Sequence, residues 1–322
     1  MGRTKASRVR RGTEPKPEGR LRQTMLNHRH FARPRLACEI APDRVIAGRA
    51  ADSRQALDLC STSELAPGCV APDLTENNVR RRDMLVDALG RTLEQAGGGR
   101  SRDVVAILPD AAVRVVLLDF ETLPDKPEEA EGVVRFRLRK SLPFDVDKAA
   151  VAYHGQKTDT GVNVIAAVAL RNVVEEYEAV FREAGFSPGV VLPSMIATLG
   201  GAPGEKGTLV IKVDAHTTSI AILDKGQLLL FRTLENARGV SISGEQLAEE
   251  VYPSVVFFQD TYSTTIEEVY LAGISDVAAA APALYSQTGG EVKELVRASQ
   301  LGQGGGSIPK WRMAGVVGAL LS

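Results

Sequence analysis

Cysteine is scarce and without pattern: Cys38, Cys60 and Cys69 are the three in 322 residues, they form no CxxC pair, and they cannot all pair within one chain. That argues against a disulfide framework and a zinc knuckle, and fits a reducing cytoplasm. No run of roughly eighteen apolar residues exists, and the charged start lacks the apolar core of a secretory signal. Membrane association therefore has to come through a partner or a surface. No excess of one charge exists either: 39 Lys and Arg stand against 40 Asp and Glu, a net charge of -1 and a pI near 6.5. Nucleic-acid binding by the folded body is not expected. No Walker loop, Gly-x-Ser-x-Gly elbow, HExxH or reactive-cysteine setting appears, so no catalytic residue is assigned.

What is present is enough apolar residue, 44% of a 34.5 kDa chain, to build two globular units. Residues 1–35 are crowded with Arg8, Arg10, Arg11, Lys16, Arg20, Arg22, Arg33 and Arg35 and lack apolar periodicity, which predicts a disordered basic tail. Attraction to anionic headgroups is its functional reading; a solvated tail, or an over-extended start with Met25 as initiator, is the plainer one and carries more weight.

From Leu36 the texture changes. Leu36-Ala-Cys-Glu-Ile40 and Arg44-Val-Ile-Ala-Gly48 predict two strands joined at Pro42-Asp43, and Arg80–Gln95 has helical spacing. Val104–Pro109 and Val113–Leu118 are rich in β-branched residues and predict strands. Asp125-Lys-Pro-Glu128 reads as a helix start with an Asp cap, and the stripe Ala130, Val134, Leu138, Leu142 runs to a stop at Pro143. A strand over Asn163–Leu170 and a helix over Asn172–Ala184, closed by Gly185, follow. After Gly200–Gly207 come three strands in succession, Thr208–Val213, Ser219–Leu223 and Leu228–Arg232, the last two joined at Asp224-Lys-Gly226. Then come a helix near 244–259, a strand Glu268–Ala272, a flexible Gly302–Gly306 and a small-residue helix, Ala314–Leu321. This order predicts a mixed α/β chain.

The layout resembles the actin-like ATPase superfamily, whose halves each begin with a ribonuclease-H-like sheet. More closely it resembles the type IV pilus assembly protein PilM family, related to FtsA and to the cytoplasmic part of GspL. The resemblance is carried by Lys140-Ser-Leu-Pro-Phe144, Tyr153, Ala166-Ala-Val-Ala169, Ala184-Gly-Phe186, Val191-Leu-Pro-Ser-Met195, Val213-Asp214, Phe231-Arg232, Val269-Tyr-Leu-Ala-Gly273 and Ala314-Gly-Val-Val-Gly318. It implies an actin-like two-domain fold. The first half spans 36–206 with an inserted α/β subdomain over about 110–187; the second spans 207–322, with helix 314–321 packing back on the first.

The resemblance also implies a nucleotide site built from two turns and an adenosine motif, with backbone N–H groups facing phosphates. The matching positions are Glu39 and Asp43 in the first turn, Asp214, His216, Thr217 and Thr218 in the second, and Gly273 for adenosine. Here Ala41 stands where Gly is expected, Pro42 removes a donor, and His216 replaces a glycine. The expectation is therefore a degenerate site with no cofactor and no metal. The alternative is a site that still takes ATP and Mg²⁺. A plain tight turn is the competing explanation for Asp214, Thr217 and Thr218.

By the same resemblance the function is a cytoplasmic adaptor of a pilus-like machine, peripheral at the inner membrane. It would bind the short cytoplasmic peptide of a PilN-like partner, with the motor ATPase and self-association as further contacts. The candidate docking residues are Val133, Phe136, Arg137, Arg139, Lys140, Leu142, Pro143 and Phe144, with ordinary core roles as the competing reading for Val133 and Phe136. The alternatives are an active actin-like ATPase or kinase-like enzyme, and a GspL-like domain of type II secretion. The second is disfavoured because the chain stops after Leu321 without a membrane span.

Overall fold

The structure is a computed structural model and describes residues 33–302 and 308–322. Most of the expected basic tail and of the Gly302–Gly306 run lies outside the described residues. Arg35 lies inside them, donating to Asp52 and to the Ala50 carbonyl.

Strand β1, Leu36–Ile40, is apolar apart from Glu39 and buried throughout, as suits a central strand. It pairs antiparallel with β2, Arg44–Ala50, which pairs with β3, Leu57–Glu64. Helix α1, Arg82–Gln95, then crosses to β4, Asp103–Leu108, parallel to β1.

Between β4 and the next crossover helix the chain inserts a separate layer: β5, Arg114–Phe120; α2, Pro127–Leu138; β6, Ala149–Lys157; and β7, Val162–Leu170. Their sheet has the order β5-β7-β6, and Val134 and Leu138 of α2 pack on it against Leu118, Val146, Val164 and Val168. Helix α3, Arg171–Glu183, follows and leads to β8, Ser187–Pro193, parallel to β4. The expected insert of about 110–187 thus includes more than this layer, because Val173, Tyr177, Val180 and Phe181 of α3 pack with Leu85, Leu89 and Leu93 of α1. Helix α4, Ser194–Leu199, ends the first lobe.

The second lobe repeats the first. The meander β9, Thr208–Val213, β10, Thr217–Asp224, and β11, Gln227–Glu235, is followed by α5, Gly244–Tyr262, and by β12, Glu268–Ala272. Helix α6, Val277–Thr288, β13, Glu291–Glu294, and α7, Ala314–Leu321, complete the chain. The β10–β11 turn places Lys225 and Gly226 at φ 49° and 72°, the paired left-handed residues of a tight hairpin. The two five-stranded sheets have matching orders, β3-β2-β1-β4-β8 and β11-β10-β9-β12-β13. This is the expected ribonuclease-H-like architecture, duplicated. Helix α7, buried along nearly its whole length, sits in a core shared by Ile46 and Ile107 of the first lobe and Val210 and Ala221 of the second.

Candidate functional site: an ion network between the lobes

Three apolar strands each bring one charge into the interior. Glu39 lies in β1, Lys212 in β9, and Asp110 two residues after the end of β4; they are 3%, 5% and 5% exposed. A buried charge left alone costs several kcal/mol, so each needs a partner, and they find one another. The Lys212 Nζ lies 3.2 Å from Glu39 Oε1 and 3.5 Å from Asp214 Oδ2. Residues 212 and 214 project from the same face because side chains alternate along a strand. On the far side Arg44 Nη2 lies 3.6 Å from Asp214 Oδ1, while its Nη1 donates to Asp43 at 2.7 Å. The chain Glu39–Lys212–Asp214–Arg44–Asp43 alternates in sign and crosses between the lobes twice.

Other groups fasten the same junction. Asp110 accepts the Met195 N–H at 2.8 Å and the Ser219 hydroxyl at 2.8 Å, one from each lobe. Ser194 donates to Glu39 Oε1, whose Oε2 is buried without a hydrogen bond among the described residues.

Charge and burial compete here in different proportions. Burial alone would lower the Lys212 pKa, but Asp214, then Glu39 and Asp110, hold it above the ordinary lysine value. Asp214 is also opposed by burial, yet Lys212 and Arg44 bring it below the usual carboxylate value. For Asp110 burial wins over nearby Lys212 and its two hydrogen bonds, and its pKa is raised.

The expected nucleotide residues fall around this network. Asp43 and Asp214 belong to it. Asp214 also closes its own turn, donating its N–H to the Thr217 carbonyl at 2.8 Å and accepting the Ala215 N–H at 2.9 Å. His216 is exposed at the tip, where its carbonyl accepts the Asn236 N–H. The Thr218 hydroxyl faces α5, donating to Glu250 at 3.2 Å and accepting from Asn236 at 3.0 Å. Gly273, at φ 79°, holds the end of β12 so close that a Cβ would collide with the Val213 carbonyl, so backbone packing accounts for this glycine. In the first turn the Ala41 N–H is taken by the Arg44 carbonyl at 2.8 Å. The opening left among Pro42, Pro72, Pro109, Ala111, Asp214, His216 and Thr217 is about 20 Å³, room for about one water.

Lys212, Asp110, Arg44, Ser194 and Ser219 were not among the expected site residues. The signal for the first two is visible in the sequence: a single charge within or just after a run of buried-type apolar residues requires a partner.

The second candidate surface lies on the insert. Helix α2 starts with Pro127 after Lys126, not with a cap from Asp125, and it ends at Leu138 rather than running to Leu142. The reason is local: no side chain caps the start, and the chain turns through Arg139–Ser141 before Pro143. Val133 and Phe136 are 38% and 69% exposed. Arg137, Arg139, Lys140 and Pro143 are exposed, whereas Leu142 and Phe144 are half-buried against the insert's core. Val133, Phe136 and Arg137 share one helix face, at i, i+3 and i+4, and Lys140 follows just past its end. Arg139 pairs with Asp147 at 3.4 Å.

Among the described residues no helix is long and apolar enough to cross a membrane, and no group of three His, Cys, Asp or Glu side chains is placed to hold a metal.

Two ribonuclease-H-like sheets in series, with their opening turns face to face and α7 between them, define the class: the chain has an actin-like fold. It is PilM-like in that fold. A chain of the solved PilM–PilN type IV pilus biogenesis complex superposes with a TM-score of 0.73 at 20% identity, over 89% of this chain and 98% of that one. The cytoplasmic domain of EpsL, an inner-membrane component of the Vibrio cholerae type II secretion system, gives a TM-score of 0.48 at 11% identity over 73% and 80% of the two chains. The ethanolamine utilization protein EutJ from Carboxydothermus hydrogenoformans gives 0.48 at 10% identity over 89% of each. No known family profile matches the chain, and no curated protein matches it significantly.

Proposed function

We propose that this protein is a cytoplasmic scaffold of a pilus-like envelope assembly machine, binding a short peptide of a PilN-like membrane partner and not operated by ATP. The observation that carries the reading is the state of the cleft between the lobes. Where an actin-like protein would present free N–H donors to phosphates, this chain has two cations, Arg44 and Lys212, engaged by three carboxylates, Glu39, Asp43 and Asp214. Among the described residues both cations at the two turns are committed to carboxylates, so a phosphate chain meets no free positive charge from them. The opening beside the two turns, about 20 Å³, has room for about one water rather than for a phosphate chain. The residues of the two turns thus do not fit a nucleotide.

Partner binding on the insert is supported by Phe136, a large apolar side chain exposed beside Val133 and flanked by Arg137 and Lys140. A helix face of this kind suits an amphipathic peptide whose apolar anchors are bordered by acidic residues. The likeness to a chain of the PilM–PilN complex adds a partner of that sort. The test is fluorescence anisotropy with a labelled amphipathic peptide whose apolar anchors are bordered by acidic residues. Phe136→Asp is expected to weaken binding at least about tenfold, as loss of a central anchor does. Arg137→Glu with Lys140→Glu is expected to reduce both affinity and its salt dependence. Unchanged affinity in both variants, with melting temperatures preserved, would remove this surface from the proposal.

A further inference from the structure

Lys212 occupies an unusual position for a lysine. It is the fifth residue of a central strand whose six residues are all buried, and its ammonium faces out of its own lobe toward Glu39 of the other. The contact between the lobes is thus made by a side chain of the chain itself. We propose that Lys212 is an internal tether that holds the two lobes in this arrangement without any bound nucleotide. This deepens the reading of the cleft given above and rests on it.

Three features of the junction support the tether. The Glu39–Lys212 contact joins β1 to β9, the first strands of the two sheets, so a single ion pair links equivalent positions of the duplicated fold. The Arg44–Asp214 contact runs the opposite way, with the cation on the first lobe and the anion on the second, so separation of the lobes uncovers charges of both signs on both faces. Glu39 Oε2 has no hydrogen-bond partner among the described residues and faces α7 at Gly315, so a Glu39 freed from Lys212 would be a buried, largely unpaired carboxylate in the shared core. Loss of the Lys212 ammonium thus makes opening cheaper, because the closed junction then holds an uncompensated buried charge, and the effect is directed at the junction rather than at either lobe's own core.

The test is hydrogen exchange on the full chain and on Lys212→Met, which keeps an unbranched apolar stem of similar length and removes the ammonium. Exchange is expected to rise about a hundredfold or more at the β1–β2 turn, the β9–β10 turn and α7. The insert's β5–β7–β6 sheet and the α1–α3 pair should keep their protection. Equal acceleration everywhere would make Lys212 an ordinary contributor to global stability and overturn the tether, as would no acceleration at the junction. Glu39→Gln, nearly the same shape but uncharged, is measured beside it; if Lys212→Met does not fold, the same regional pattern is required of Glu39→Gln, and its absence overturns the proposal. Both chains are also measured with Mg·ATP. Protection gained by the wild type at the junction would refute the nucleotide-free reading itself, whereas failure of the tether alone leaves the wild type indifferent to Mg·ATP.

Discussion

The Glu39 carboxylate rests against Gly315, the second residue of α7, so closely that a Cβ at 315 would lie 2.5 Å from Oε2. One lobe's charged strand is thereby fitted to the helix that lies in the core common to both lobes. A carboxylate near the start of a helix is also favourably placed in the field of its peptide dipoles.

Gly315→Ala is therefore expected to destabilise the protein although alanine is the better helix former. The added methyl has no free volume and must push Glu39 away from Lys212; overpacking of this kind costs about 1–3 kcal/mol. Urea unfolding followed by circular dichroism reads the loss, and a stability equal to or above wild type would show that the contact yields easily.

Asp214→Asn tests the electrostatics through pH. The folded-state pKa of Asp214 lies below its ordinary value of 3.8, so its contribution is fully present above 3.8 and fades as pH falls through the lower folded value. Breaking a buried pair costs about 3–5 kcal/mol, and the gap between wild type and variant is expected to stay level from about pH 7 to about pH 5, narrowing only below the ordinary Asp value. Lys212 acts at the other end: its raised pKa means that its contribution fades only as pH rises beyond the ordinary lysine value of 10.5. A gap that closes near neutral pH would contradict this assignment.

Removal of residues 1–33 is expected to change the melting temperature by less than about 2 °C, because a segment so rich in Arg and Lys and so poor in apolar residues has little to bury. The cut leaves Arg35 in place, since its guanidinium is bonded to Asp52 and to the Ala50 carbonyl. Differential scanning calorimetry decides, and a drop of many degrees would show that the segment packs on the body.

The duplicated sheets were legible because their strands are short runs of buried-type residues bounded by turn residues. Leu36–Ile40, Val104–Leu108 and Thr208–Val213 each announce a central strand. Edge elements were harder: β3, Leu57–Glu64, and β13, Glu291–Glu294, are polar and half-exposed, so their strand character comes from pairing rather than composition. In α2 the repeat at Ala130, Val134 and Leu138 marks the buried face, but Leu142 continued the spacing without continuing the helix, since it belongs to the following loop. At the site, sequence reasoning reached the residues of the two turns and missed Lys212 and Asp110. Each is one charge in or just after an apolar strand, and the facing of the two lobes supplies the partner it meets across the junction, Glu39 for Lys212 and Ser219 for Asp110.

Calorimetric titration of the full chain with Mg·ATP tests the account most directly, because the scaffold reading and the tether both require a cleft already filled by the chain's own charges. The account predicts no saturable heat up to about 1 mM nucleotide, a binding free energy weaker than about -4 kcal/mol, and turnover below about 1 s⁻¹. Saturable binding in the low micromolar range would contradict it.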